Sequence, residues 1–135
     1  MKINIFSIWL LFLTISICAI IIIGGYTRIS DSGLSITEWL PVTGIMYPLS
    51  NYQWQVEFSK YQQIDEFMLV NSTMTLNEFK VIYFWEWFHR FFARLIGALY
   101  LIPLMYLLIK KKIHRSYQLR IFLVGFFLGV QAVIG

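Results

Sequence analysis

Residues 81–109 read VIYFWEWFHRFFARLIGALYLIPLMYLLI, an apolar run long enough to cross a bilayer that nevertheless carries Glu86, His89, Arg90 and Arg94. About 20 apolar residues in a helix, at 1.5 Å each, span the hydrocarbon layer. The run therefore predicts a membrane helix over 81–109. Stepping about 100° per residue from Glu86 at 0° puts His89 near −60°, Ala93 near −20°, Gly97 near +20°, Arg90 near +40° and Arg94 near +80°. The polar groups thus share one face with two small residues, while Trp85, Phe88, Phe92 and Leu95 occupy the other side. Ionisable residues inside a span are costly and usually face a bundle interior or a cavity, so the face is a candidate site.

The flanks set its depth and direction. Lys110, Lys111, Lys112, Arg115 and Arg120 follow the run directly and hold five of the eleven basic residues. By the positive-inside rule this cluster is cytoplasmic, which places the N-terminus there too and residues 27–80 on the outer, periplasmic side. Counting back from Lys110, Phe91 lies about 19 residues or roughly 29 Å away, so His89 is expected near the outer hydrocarbon edge. Pro103 is expected to kink the helix and to free a carbonyl for a neighbouring helix to cover.

Composition agrees. Of the 135 residues, 59% are apolar and 13% charged, against about a quarter charged in soluble domains. The net charge of +4 sits at a membrane boundary rather than on a nucleic-acid face, and no nucleic-acid partner is predicted; lipid is. The first apolar stretch, Ile3 to Ile23, exceeds the roughly 7–15 residues of a signal sequence core and lacks a small-residue cleavage site. A retained helix over 5–26 is expected, with an uncleaved anchor as the alternative. A third run begins at Leu119 and continues to Gly135; from Ile121 it gives roughly 22 Å of helix, less than the ~30 Å layer. The fold class expected is all-α integral membrane: helix 5–26, outer segment 27–80, helix 81–109, cytoplasmic loop 110–118 and a partial helix 119–135. The chain is thereby expected to be a truncated product or a fragment. Cys18 has no cysteine partner in the chain.

The outer segment carries Trp39, Pro41, Tyr47, Pro48 and Trp54 among its charges, so it has apolar material to dock with. Trp54, Phe58 and Tyr61, spaced by four and three, make one helical face directed at the bundle or the interface, or simply an amphipathic surface helix. Thr75-Leu76-Asn77-Glu78 has capping-box spacing, which starts the second long helix at Leu76, before the membrane begins. From Leu76 to Ile109 such a helix measures about 51 Å.

By chemistry alone the polar face admits two readings. A neutral imidazole ligates iron, and guanidinium groups pair with propionates; equally, His89 is a packing residue and Glu86 with Arg90 an i,i+4 ion pair. Arg28, just past the first span, either reaches an anionic group or snorkels. Gly24 and Gly25 permit close helix packing or mark a frayed end. His114, in the basic loop, is read as an ordinary loop residue.

The order Gly24-Gly25-Tyr26-Thr27-Arg28, Ser32-Gly33-Leu34-Ser35-Ile36, Glu38-Trp39, Pro41-Val42-Thr43-Gly44, Glu57-Phe58, Tyr61, Asn71, Met74, Glu78-Phe79-Lys80 and Glu86-Trp87-Phe88-His89-Arg90 with Arg94 and Ile96-Gly97 resembles the N-terminal part of haem A synthase, in its proteobacterial and mitochondrial form. The resemblance implies an eight-helix, two-bundle membrane oxidoreductase that converts the C8 methyl group of haem O to the formyl group of haem A for haem-copper oxidase biogenesis. It implies that His89 is an axial ligand to haem iron and that Glu86 is the catalytic acidic residue beside the substrate. Arg90, Arg94 and Arg28 would serve propionates or structural pairing. A haem b would sit in the second half, outside this sequence, and haem O synthase and a redox protein would be partners. The resemblance covers two complete spans and the start of a third. Activity would then need a second chain supplying the remaining helices, or the chain is an inactive remnant of a split gene. A haem-ligating electron-transfer subunit and a cofactor-free structural membrane protein are the other readings. The short N-terminus without an Arg-rich transit peptide favours a bacterial cell membrane.

Overall fold

The computed structural model describes residues 4–39 and 43–134; Pro41 and Val42 of the outer segment and Gly135 lie outside them. Every regular element among the described residues is helical: α1 Ile5–Ile29, a 3₁₀ turn Thr43–Ile45, α2 Asn51–Tyr61, α3 Asp65–Leu69, α4 Leu76–Ile109 and α5 Arg115–Ile134. Of these, α1, α4 and α5 are long and apolar enough to cross a membrane. The chain divides into two compact units, residues 1–20 with 92–135 and residues 21–91.

In the first unit, Trp9 and Leu13 of α1, Ile96, Tyr100, Leu104 and Leu107 of α4, Ile113, and Ile121 of α5 form the core. Large apolar side chains elsewhere on these helices, such as Phe12, Ile102 and Phe127, are exposed, which suits lipid rather than water. Tyr100 donates its hydroxyl to the carbonyl of Ile121 at 2.7 Å. Gly125 lies against that same ring, so that a Cβ there would collide with it.

Pro103 interrupts α4, and because proline has no N–H, the carbonyl of Leu99 one turn back loses its helical donor. The indole of Trp9 supplies the replacement, donating from Nε1 to that carbonyl at 2.8 Å. Trp9→Phe removes the donor and keeps most of the ring volume, so a loss of about 1–3 kcal/mol is expected from the stranded acceptor. The same change in a Pro103→Ala background should cost distinctly less, since the helix then supplies its own N–H. Equal losses in both backgrounds, measured by unfolding in detergent, would show that the indole contact is incidental.

The α5 helix begins at Arg115, four residues before the expected Leu119. The His114 Nδ1 accepts from the Ser116 amide at 3.4 Å and lies 2.8 Å from its hydroxyl, capping the helix at a residue type that does not announce a cap in sequence.

In the second unit, Phe79 and Tyr83 of α4 are enclosed by Trp54, Phe58 and Tyr61 of α2, Phe67 of α3 and Tyr47. The rings meet edge to face or tilted, as between Trp54 and Tyr83 at 5.2 Å and between Tyr61 and Phe79 at 5.1 Å, the arrangement that ring quadrupoles favour. The α2 face thus packs on α4. A capping box of Ser50 and Gln53 starts α2, and Thr75 with Glu78 closes the start of α4, the Glu78 carboxylate accepting from both the amide and the hydroxyl of Thr75 at 2.8 Å. The chain does not stay helical beyond Tyr61: it turns at 62–64 and resumes with α3, whose first turn holds Asp65 and Glu66, favourably placed at the positive end of a helix.

Candidate functional site

Glu86 lies in α4, within the second unit, and is 3% exposed. A carboxylate withdrawn this far must have its lone pairs filled, and they are. Its Oε2 accepts from the Ser35 hydroxyl at 2.7 Å and from the Ile36 amide at 2.7 Å. Its Oε1 accepts from Arg90 Nε at 2.9 Å and Nη2 at 2.5 Å. The i,i+4 spacing makes the Arg90 pair a property of the helix; the other two donors arrive from a loop fifty residues away.

Arg90 completes the arrangement. Beyond Glu86, its Nη2 donates to the carbonyl of Ile36 at 3.1 Å and its Nη1 to that of Glu38 at 3.2 Å. The planar fork of a guanidinium suits this division between a carboxylate and two backbone oxygens. The segment Ser35–Glu38 is therefore wrapped onto α4 by two side chains one helical turn apart. Ser32 and Ser35 are fully buried, and Thr27 is buried as well. The Ser32 amide closes the end of α1 by donating to the Thr27 carbonyl at 2.9 Å, with Asp31 in the left-handed conformation at φ 50°, which aspartate tolerates better than most residues.

A clasp of smaller consequence lies further out. Lys60 of α2 pairs with Glu57 at 3.0 Å and with Glu38 at 3.2 Å. The bond to Glu57, joined by that to Glu38, raises the ammonium above its ordinary value although partial burial opposes it. A raised amine contributes stability that is fully present below its unfolded value and is lost as pH climbs through its folded value, so the clasp is intact at neutral pH. Its groups are partly exposed, and its worth is correspondingly small. Burial likewise pushes the Tyr61 hydroxyl up, and Asn71 donates to it at 2.9 Å.

His89 lies on the same helix, half-buried, and among the described residues its imidazole makes no hydrogen bond. Its nearest backbone neighbour of interest is Gly24 of α1: a Cβ built there would stand 3.0 Å from Nε2. The ring therefore borders on bare backbone. Among the described residues no group of three or more His, Cys, Asp or Glu is gathered to hold a metal ion. The residues present offer one imidazole, which suits a metal that arrives with its other ligands in a macrocycle and needs an axial donor.

Of the residues that the sequence singles out, Glu86, His89 and Arg90 come together in the second unit, while Arg94 belongs to the first, where it is half-buried. Arg28 is exposed in the last turn of α1. An open hollow of about 440 Å³ is lined by Leu34, Ile36, Trp39, Ile64, Asp65 and Arg90 among others. Sequence reasoning passed over Ser35 and the Ile36 amide as partners of Glu86, and Gly24 as the neighbour of His89. The available signal was a serine-rich turn directly after the first span, in a protein whose second span holds an intramembrane carboxylate that needs donors.

Comparison with known proteins finds similarity along nearly the whole chain. The family described as cytochrome oxidase assembly protein matches residues 7–135. A protein named "Heme A synthase" from Maricaulis maris is 50% identical over 131 residues, covering 96% of this chain and 38% of that protein. Proteins of the same name from Parvibaculum lavamentivorans and Bartonella quintana are 42% and 44% identical, covering 94% and 96% of this chain and 37% and 36% of theirs. The chain thus spans little more than a third of the length of these curated relatives. No solved structure matches it.

Proposed function

Because the chain belongs to the cytochrome oxidase assembly protein family, we propose that it forms the N-terminal part of a haem A synthase and supplies the axial ligand His89 to a haem, in an enzyme that oxidises the C8 methyl group of haem O to the formyl group of haem A. The observation that carries this reading is the placement of His89: an imidazole without a hydrogen-bond partner among the described residues, set against a glycine, in a chain whose relatives are named for this synthesis. The bound haem supplies both the iron and the methyl group to be oxidised.

The chain's own residues have separable parts in this. His89 binds and orients through one ring nitrogen. Glu86 stands one helical turn before it, on the face that the substrate porphyrin would occupy, with both oxygens engaged by Ser35, Ile36 and Arg90. The geometry therefore favours a positioning role for Glu86. For Arg90 the same geometry favours structural pairing over propionate binding, since Glu86 and two carbonyls take up its guanidinium. Arg28 and Arg94 are proposed for propionate carboxylates, which suit guanidinium donors. The membrane is proposed to hold the N-terminus on the cytoplasmic side and the 27–80 segment outside, as the basic cluster at 110–120 directs. Haem O synthase, a redox protein and the haem b of a second bundle belong to the same proposal.

The test is direct binding. Purified in detergent and titrated with haem O, the chain is expected to give a Soret band shifted from that of free haem, and His89→Ala is expected to abolish the shift. A wild-type titration indistinguishable from that of empty micelles, or a His89→Ala variant that binds equally well, overturns the assignment.

A further inference from the structure

We infer that Gly24 is a positioning residue for His89: bare backbone at this point of α1 sets where Nε2 stands, and a side chain there displaces it. The inference deepens the proposed function and rests on His89 being an axial ligand for its consequence, though not for its geometry.

Gly24 and Gly25 stand side by side in α1. Glycine in a helix interior costs about 0.5–1 kcal/mol relative to alanine, so helix formation alone would favour alanine at both positions. A Cβ on Gly25 would meet nothing within 4 Å. A Cβ on Gly24 would lie 3.0 Å from His89 Nε2, 3.5 Å from Cδ2 and 3.9 Å from Cε1. Carbon and nitrogen not bonded to each other prefer roughly 3.5–4.0 Å, so the ring would have to retreat by a few tenths of an ångström. The nearest atom is the one that matters. Among the described residues no hydrogen bond holds the imidazole, so packing sets its place, and Gly24 is part of that packing.

The size of the displacement gives it chemical meaning. Metal–ligand distances are held to within about ±0.2 Å, and residues that orient a ligand from outside the coordination sphere typically change metal affinity about 10–100-fold when altered. A shift of a few tenths of an ångström at Nε2 exceeds that tolerance. Of the two glycines, only position 24 would set a side chain against the His89 ring.

The chain has two histidines, His89 and His114, which makes the measurement simple. In the full chain in detergent, with imidazoles isotopically labelled, His89→Gln assigns the two ring signals by NMR. Gly24→Ala is expected to shift the His89 Cδ2 and Nε2 signals and leave His114 in place, while Gly25→Ala shifts neither. Gly24→Ser brings the same Cβ and replaces the alanine variant should that fail to insert. On titration with haem O, Gly24→Ala is expected to weaken binding by about 10-fold, and Gly24→Val to lose the Soret shift. Unmoved His89 signals in Gly24→Ala, or equal movement in Gly25→Ala, overturn the inference. Should the ring signals move as expected while wild-type protein takes up no haem, the positioning stands and the haem reading falls.

Discussion

Glu86→Ala is expected to destabilise the folded chain by about 3–5 kcal/mol, the loss typical of removing one partner from a buried ion pair. The carboxylate is 3% exposed and receives four hydrogen bonds from three residues. Alanine leaves the Arg90 guanidinium without its counter-charge, the Ser35 hydroxyl without an acceptor in a place 1% exposed, and the Ile36 amide stranded. Each is a separate desolvation cost. The 30–39 segment should then loosen from α4, held only by the carbonyl contacts of Arg90, the packing of Ile36 on the aromatic cluster and the partly exposed Lys60–Glu38 pair. Glu86→Gln keeps the shape and one oxygen but turns an amide NH₂ toward other donors, so it should recover part of the loss. Unfolding in detergent gives the stability, and hydrogen exchange of the 32–38 amides gives the location. An alanine variant within 0.5 kcal/mol of wild type, the range of ordinary surface changes, with unchanged exchange at Ile36, would mean that the loop is held by something else.

This prediction depends on contacts that the sequence did not disclose, while the elements that carry them were plain in it. Apolar runs marked two complete membrane helices and the start of a third, and the 3.6-residue period put Glu86, His89 and Arg90 on one face, with the Glu86–Arg90 pair following from i,i+4 spacing alone. Thr75 and Glu78 marked where α4 begins. Each of these is local, resolved within a few turns of one helix. What escaped was long-range. Pro103 announces a stranded carbonyl at Leu99, but nothing in the sequence says that Trp9, ninety residues earlier, is the donor. Gly24 reads as a small residue that permits close packing; that its neighbour is the ring nitrogen of His89 depends on how α1 and α4 meet within the second unit. Hydropathy misled in one place, because α5, capped by His114, begins at Arg115, four residues before the apolar run suggested.

Phe79→Ala is the complementary experiment, aimed at the other fastening of the outer segment. Phe79 is fully buried and its ring meets those of Trp54, Phe58, Tyr61 and Tyr83. It sits in the first turn of α4, where a helix of about 51 Å extends past a hydrocarbon layer of ~30 Å, so the neighbours that cover it are α2 and the segment around it rather than lipid. Truncation to alanine removes a ring from the centre of a close-packed cluster, and the rigid aromatic neighbours are poorly able to collapse into the space; a loss of about 3–5 kcal/mol is expected. Val81→Ala, two residues on and 58% exposed, is the matched control and should change little. The two fastenings are separable in their footprints. Phe79→Ala should raise exchange across 51–69 while the Ile36 amide, bonded to Glu86, stays protected; Glu86→Ala should do the reverse, apart from the weak coupling through Lys60 and Glu38. If either variant instead loosens the whole of 30–69 together, the outer segment is one cooperative unit, and the loop over α4 cannot release Glu86 without unfolding the aromatic cluster as well.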